Sequence, residues 1–369
     1  MSVIATLRAQ ALRIPFRMPF RHASAERDET ASVLVEAGTD SSVGYGESCP
    51  RPYVTDETVA SALAFCEAHR ATIQRDIVDL DTLRTWVVAH EGAIDRHPAA
   101  WCAIELAIVD ALSRRAGQSA EAWLGLPALG GVFRYSAVIG DMAPAAFEAM
   151  AARYAKAGFA DFKLKLSGDE ARNREKVEML TALPINALRI RADANNVWPD
   201  APAALRSLSE LAPAFWALEE PVSAGDYAAL AHVATTCARP VVLDESVVRR
   251  DQLARLPGAP SQWIVNVRVS KMGGVLRSLD VVREARARGF GVIVGAQVGE
   301  TSILTRAAWP VAQAAGPSLL AQEGAFGTEL LEHDIVEAPL MFGAGGMLAS
   351  ASAPISGCGF GFAPVTVWR

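Results

Sequence analysis

Five charged residues constrain this chain more than anything else in it. Lys165, Asp193, Glu219, Asp244 and Lys271 follow one another at intervals of 28, 26, 25 and 27 residues, and each of the first four closes a short apolar run ("DFKLK", "LRIRAD", "ALE", "VVLD"). A strand, its helix and the return loop take about 30 residues when eight such units build a barrel of roughly 250. A charge recurring once per unit at a strand terminus therefore predicts a parallel α/β barrel, whose sites form where the strands end. Eight strand candidates, at residues 134–140, 161–166, 188–193, 215–220, 240–245, 263–269, 290–296 and 318–324, alternate with segments rich in Ala, Arg and Glu. That alternation suits a closed barrel better than an open doubly wound sheet.

In such a barrel the outward residues of each strand lie under helices and must be apolar, so period two sorts every run. Phe162, Leu164 and Leu166 point outward, sending Lys163 and Lys165 inward. Leu188, Ile190 and Ala192 leave Arg191, Asp193 and Asn195 inside; Glu219 follows Ala217, Glu220 follows Trp216 and Leu218, and Asp244 follows Val242. Asn266 and Arg268 face inward, whereas Lys271 breaks the alternation and falls in a turn where Gly273–Gly274 lets the backbone bend. Read singly, each acid is an ordinary helix cap or surface ion pair, and Lys271 an ordinary loop lysine. In phase, the acids answer the charge of the interior lysines, which is costly to bury alone. Three carboxylates form a hard, all-oxygen set that favours Mg²⁺, with Mn²⁺ as a second candidate, over zinc.

Residues 1–130 read as an α+β capping domain, with helical periodicity over about 58–75 and 99–115 and polar loops at 17–30 and 47–58. After residue 340 the chain is glycine-rich and ends in a strand-like "VTVW", so 341–369 is expected to complete the cap around a barrel of 131–340. A net charge of −6 argues against a nucleic-acid partner. No apolar run approaches the roughly 20 residues of a membrane span. Arginines interrupt the N-terminal apolar stretch, so it does not read as a signal peptide, and five scattered cysteines without a CxxC fit a reduced, cytoplasmic chain. No GxxxxGK[ST], HExxH or GxSxG occurs, "FGAGGM" and "GCGFG" do not lead from strand to helix, and His69, His90, His97, His232 and His333 lack ligand spacing.

The segments "FKLKL", "ADANN", "LEEP", "LDES" and "VSKMGG", in this order and spacing, resemble the enolase superfamily. The nearest likeness is to its muconate-lactonising subgroup, which includes dipeptide epimerases, N-acylamino-acid racemases, o-succinylbenzoate synthases and muconate cycloisomerases. The resemblance covers nearly the whole chain. It implies a modified (β/α)7β TIM barrel with an N-terminal α+β cap, and a homo-oligomer. By that likeness Asp193, Glu219 and Asp244 hold Mg²⁺, Lys165 and Lys271 are an acid/base pair on opposite faces of a small carboxylate substrate, and Lys163 and Asn195 stand beside the reacting carboxylate and metal. Asn266, Glu245 and Arg268 would lie behind the ligands; Arg268 pairs with Asp244 or Glu245, or touches substrate. The run "FGVIVGAQVGE" contains no histidine, so the Lys/His arrangement of the mandelate racemase subgroup is not supported.

The implied chemistry is removal of the proton α to a carboxylate through an ene-diolate, its growing charge met by the metal and by Lys163. Paired lysines favour a racemase or epimerase acting on an amino-acid-derived or N-substituted carboxylate. The same groups would run muconate-type cycloisomerisation, or loss of water as in o-succinylbenzoate synthase. A Schiff-base aldolase with Lys165 as nucleophile leaves the three acids without a task. Phe20, Arg21, His22, Arg51 and Tyr53 read either as solvated loop residues or as a basic, partly aromatic lid over the substrate. Dipeptide epimerases of this family carry an Asp-x-Asp pair on strand eight; here the stretch is "QEGAFG", where Glu323 is a partial replacement and Gln297 and Glu300 also lie near the mouth.

Overall fold

The computed structural model describes residues 3–22, 25–355 and 357–362. Eight strands, Ala137–Ile139, Asp161–Lys165, Arg189–Asp193, Ala217–Glu219, Val241–Leu243, Trp263–Val267, Gly291–Val294 and Leu319–Gln322, lie side by side in chain order, all parallel. First and last strands share no ladder, but the Ser136 N–H donates to Gln322 O across the seam at 2.8 Å. The register aligns Lys165 with Asp193 and Asp193 with Glu219, so the charges stand level on one rim. Ala217, Val242, Ile264 and Ile293 form a small interior cluster, while Phe162, Leu164, Leu218, Leu243 and Val265 join the main core beneath the helices. This is the division that period two requires.

The run 134–140 does not form one strand. Val132–Arg134 pairs antiparallel with Met347–Ala349, and only Ala137–Ile139 enters the barrel. Between them the backbone changes partners, Tyr135 N donating to Gly346 O and Ser136 N to Gln322 O.

In the N-terminal region Thr6–Leu12, Ser32–Gly38 and Val43–Ser48 make an antiparallel sheet against the helix Pro98–Arg115. That helix is apolar on nearly every side and buried accordingly. Strand and helix approach so closely that a Cβ on Gly46 would lie 2.1 Å from Ala103 O. The expected loop at 17–30 is instead a hairpin, Pro15–His22 with Ala25–Glu29, in which Phe20 opposes Arg27; its charged residues masked the alternation. The C-terminal stretch meets the same helix, Phe360 N donating to Asp110 Oδ1 at 2.7 Å and Arg114 Nη2 to Phe362 O at 2.9 Å. The "VTVW" segment lies outside the described residues. His69, His90 and His97, scattered in sequence, gather around Phe65 and Trp86, with His90 stacked on Trp86 at 3.8 Å. No helix among the described residues is long and apolar enough to cross a membrane.

Two buried carboxylates of the N-terminal region reach the barrel. Glu105 accepts from Leu276 N at 3.0 Å, and Glu47 from Thr301 N at 3.0 Å and Thr301 Oγ1 at 2.6 Å. Each meets free N–H groups at the start of a helix, Val275–Ala287 and Ser302–Ala315, where a negative charge is favoured. The first of these helices begins just after Lys271. Gly274 permits the approach: its φ is +97°, and a Cβ there would stand 2.3 Å from Glu105 Oε1. Gly274→Ala is therefore expected to destabilise the protein by about 1–3 kcal/mol, read as a lower urea midpoint. An unchanged midpoint would mean that Glu105 swings aside at little cost.

Candidate active site

Asp193, Glu219 and Asp244 are fully buried at the strand ends and contact five basic side chains. Lys163 Nζ lies 2.8 Å from both Asp193 Oδ2 and Glu219 Oε1, and 3.1 Å from Glu323 Oε1. Lys165 Nζ donates to Asp193 Oδ2 at 2.5 Å and to Asn195 Oδ1 at 2.8 Å. Lys271 Nζ donates to Asp244 Oδ1 at 3.0 Å, Asp244 O at 2.6 Å and Asn266 O at 2.7 Å. Arg191 reaches Glu219 at 3.3 Å and also pairs with Glu323; Arg268 pairs with Asp244.

Lys165 enters from the second barrel strand and Lys271 from beyond the sixth, so the two amines bracket the acids carried between them. Lys271 is held not by an open turn but by one helical turn, Val269–Met272, which ends on the left-handed Gly273 (φ +84°). That turn swings the side chain back into the interior. The environments of the lysines differ. Burial opposes the charge on Lys163, but Asp193, Glu219 and Glu323 outweigh it and push the amine up. Burial, then the neighbouring Arg268, pushes Lys271 down to about 7. Burial alone would raise Asp193, yet Lys163 and Lys165 hold it well below the usual carboxylate range.

The supporting residues divide the work. Asn195 accepts from Lys165, and its own N–H donates to Asp193 Oδ1 at 3.0 Å. Asn266 bridges the two sides: its Nδ2 donates to Glu219 Oε1 at 3.0 Å while its carbonyl receives Lys271. Arg268 takes the first of its expected partners, Asp244, and donates to Gln297 Oε1 at 2.8 Å. Glu245 is half-buried; burial, then Glu220 and Asp193, push it up to about 8.

A cavity of about 450 Å³ opens beside this centre, and Phe20, Gln297, Glu300 and Glu323 line it. Tyr53 stands apart, its ring 5.8 Å below the Arg27 guanidinium. Arg51 departs from the substrate-facing expectation. It is fully buried, donating from Nη1 to Ala31 O and Pro50 O and from Nη2 to Val298 O, and so ties the N-terminal region to a barrel loop. Arg21 and His22 lie on the hairpin, with side chains outside the described residues.

Glu220 corrects the parity argument. Its outward assignment assumed that the strand continued, but the strand ends at Glu219 and Glu220 adopts φ +41°. The fully buried carboxylate accepts from Asp244 N at 2.6 Å, Ser246 N at 2.7 Å, Ser246 Oγ at 2.7 Å and Asn196 Nδ2 at 3.0 Å. The adjacent pair of glutamates in "LEEP" was the available signal: one serves the interior, the other fixes the loop that carries Asp244.

The fit of the three acids to a divalent cation rests on their chemistry. They offer buried, hard oxygen donors, and Glu219 Oε2 and Asp244 Oδ2 take no hydrogen bond beyond their ion pairs with Arg191 and Arg268. Their carboxylates are turned toward the basic side chains, and among the described residues no three acidic, histidine or cysteine side chains are spaced as a ready-made cage. Ligation would therefore require Lys163, Lys165 and Arg268 to give ground.

Residues 146–364 match the family described as enolase C-terminal domain-like. The N-succinyl-L-Arg/Lys racemase of Bacillus cereus is 25% identical over 316 residues, 84% of either chain. Two solved structures share the fold. The 2-chloromuconate cycloisomerase of Rhodococcus opacus 1CP superposes with a TM-score of 0.86 at 24% identity, covering 98% of this chain and 96% of that one. The dipeptide epimerase of Enterococcus faecalis V583, complexed with Mg and L-Leu-L-Tyr, gives 0.84 at 23%, covering 99% and 100%. With its matched barrel, its whole-length fold and its level rim of acids and lysines, this chain belongs to the enolase C-terminal domain-like family.

Proposed function

We propose that this protein is a Mg²⁺-dependent racemase or epimerase that removes the proton α to the carboxylate of a small amino-acid derivative and returns a proton to the same carbon. The observation that carries the reading is the bracketing of Asp193, Glu219 and Asp244 by two buried amines, Lys165 on Asp193 and Lys271 on Asp244. The racemase of Bacillus cereus and the Mg-containing epimerase of Enterococcus faecalis lend it support by likeness.

Asp193, Glu219 and Asp244 would hold the metal. When bound, it would supply positive charge against the substrate carboxylate as the α-carbon ionises. One lysine, as a neutral amine, takes the α-proton; the other, as an ammonium, delivers one to the opposite face, so charge and protons balance over the turnover. Asn195 orients Lys165, and the Asn266 and Asp244 carbonyls orient Lys271. Lys163, fixed among three carboxylates, adds a permanent positive charge to the site.

The test is α-proton exchange in D₂O, followed by mass spectrometry on a panel of N-substituted amino acids, dipeptides and muconates. Exchange is expected with Mg²⁺, should fall to the buffer background with EDTA, and should return when Mg²⁺ is restored. Exchange indifferent to chelation would overturn the metal assignment. Cycloisomerisation is the second reading, favoured by the fold shared with the Rhodococcus enzyme; muconate turnover without exchange on any amino-acid derivative would select it.

A further inference from the structure

We infer that Glu323 is the counter-ion to which Lys163 withdraws when a divalent cation takes Asp193 and Glu219, and that Glu323 thereby sets the metal affinity of the site. The inference rests on the metal assignment of the function proposed above.

Ammonium groups stand here where the ligand oxygens would meet a cation. Asp193 Oδ2 is shared by Lys163 at 2.8 Å and Lys165 at 2.5 Å, and Glu219 Oε1 by Lys163 at 2.8 Å and Asn266 Nδ2 at 3.0 Å. A divalent charge on those oxygens repels both ammonium groups at close range, and a dry interior strengthens the repulsion. The two lysines yield in different ways. Lys165 falls back on Asn195 Oδ1 at 2.8 Å, a neutral partner that suits an amine which sheds its proton to act. Lys163 is only 2% exposed, so it cannot carry its charge to water and needs a paired anion instead.

Among the described residues, Lys163 is the one lysine of the site that also pairs with a carboxylate outside the acid row. Both oxygens of Glu323 face its Nζ, Oε1 at 3.1 Å and Oε2 at 3.4 Å. These contacts are longer than those to Asp193 and Glu219, so a small shift of one ammonium exchanges the one set for the other. Glu323 is held ready for it. Its N–H donates to Val294 O of the seventh strand at 2.8 Å, and Arg191 of the third strand pairs with its Oε1. Arg191 is wholly buried, and its Nε lies 3.3 Å from Glu219 Oε2, the oxygen that Lys163 does not use. This gives the acid of "QEGAFG" a task at Lys163 rather than on a substrate ammonium.

Metal binding without substrate tests the inference. The full chain and its variants are titrated with MnCl₂, free Mn²⁺ is read by electron paramagnetic resonance, and MgCl₂ is used to displace the bound ion. Thermal midpoints confirm that each variant folds. Glu323→Gln is expected to weaken both ions about 10–100-fold, because a Lys163 without another anion competes for Asp193 and Glu219. Lys163→Met should bind them at least as tightly as the parent, and in that background Glu323→Gln should change the affinity by less than about threefold. Equal weakening in both backgrounds would show that Glu323 acts only through its long-range charge, which overturns the exchange. A Glu323→Gln variant that binds as the parent does overturns it too. A crystal of the parent soaked in MgCl₂ needs no variant: Lys163 Nζ is expected on Glu323, and an ammonium still on Asp193 Oδ2 beside the bound cation overturns the inference. No metal bound by the parent, or undiminished binding in Asp193→Asn, overturns the metal assignment and the inference with it; every other failure leaves that assignment standing.

Discussion

Lys165→Ala is expected to abolish α-proton exchange from one enantiomer of a substrate and Lys271→Ala from the other, each by about 10²–10⁴-fold, the usual contribution of a positioned acid or base. The expectation follows from where the amines are anchored. Lys165 is gripped by Asp193 and Asn195 at one end of the acid row, and Lys271 by Asp244 and the Asn266 carbonyl at the other. A carbon seated over the row would meet one amine on each face. The measurement is deuterium incorporation from separate L and D substrates, with the thermal midpoint recorded to confirm that each variant folds. In either single variant the surviving lysine should still exchange the enantiomer whose proton faces it, although net racemisation fails. Equal loss from both enantiomers in both variants would show that the lysines serve charge balance rather than separate faces.

The barrel and its acid row were legible because strand burial repeats every two residues and the βα unit repeats at a nearly constant length. Those two periods alone bring Lys165, Asp193 and Glu219 level, as the strand register places them. Lys271 was harder, because a single helical turn erases the alternation that would have announced its direction. Arg51 was misread for another reason. Three backbone carbonyls from residues 31, 50 and 298 make its environment, and carbonyls leave no trace in side-chain pattern. Glu47 and Glu105 escaped notice because each stands in a segment whose other residues pack a core; their partners are helix N–H groups more than 150 residues away. Local periodicity reports which face is buried and is silent on which distant polar group a buried acid meets.

Glu220→Ala is expected to cost about 3–5 kcal/mol of stability, the range found when one partner of a buried charged network is removed. Four donors converge on this carboxylate, two of them backbone N–H groups that no rotamer change can redirect. Each left unmet in a dry interior costs about 1–3 kcal/mol, and partial relaxation keeps the total below their sum. The left-handed φ of +41° adds strain that the four hydrogen bonds now offset. Glu220→Gln separates charge from geometry. It keeps one acceptor oxygen but turns an NH₂ toward donors, so about 1–3 kcal/mol should be lost and the fold retained. Because the Asp244 N–H is one of the donors, and the Asp244 carbonyl and carboxylate both receive Lys271, the glutamine variant should lose more exchange on the Lys271 face than on the Lys165 face. Urea midpoints of the two variants and enantiomer-resolved exchange of the glutamine variant read these effects. An alanine variant within about 0.5 kcal/mol of the parent, the range of an ordinary surface change, would mean that water or a shifted loop serves the donors equally well. The position of Asp244 would then be fixed by its strand alone.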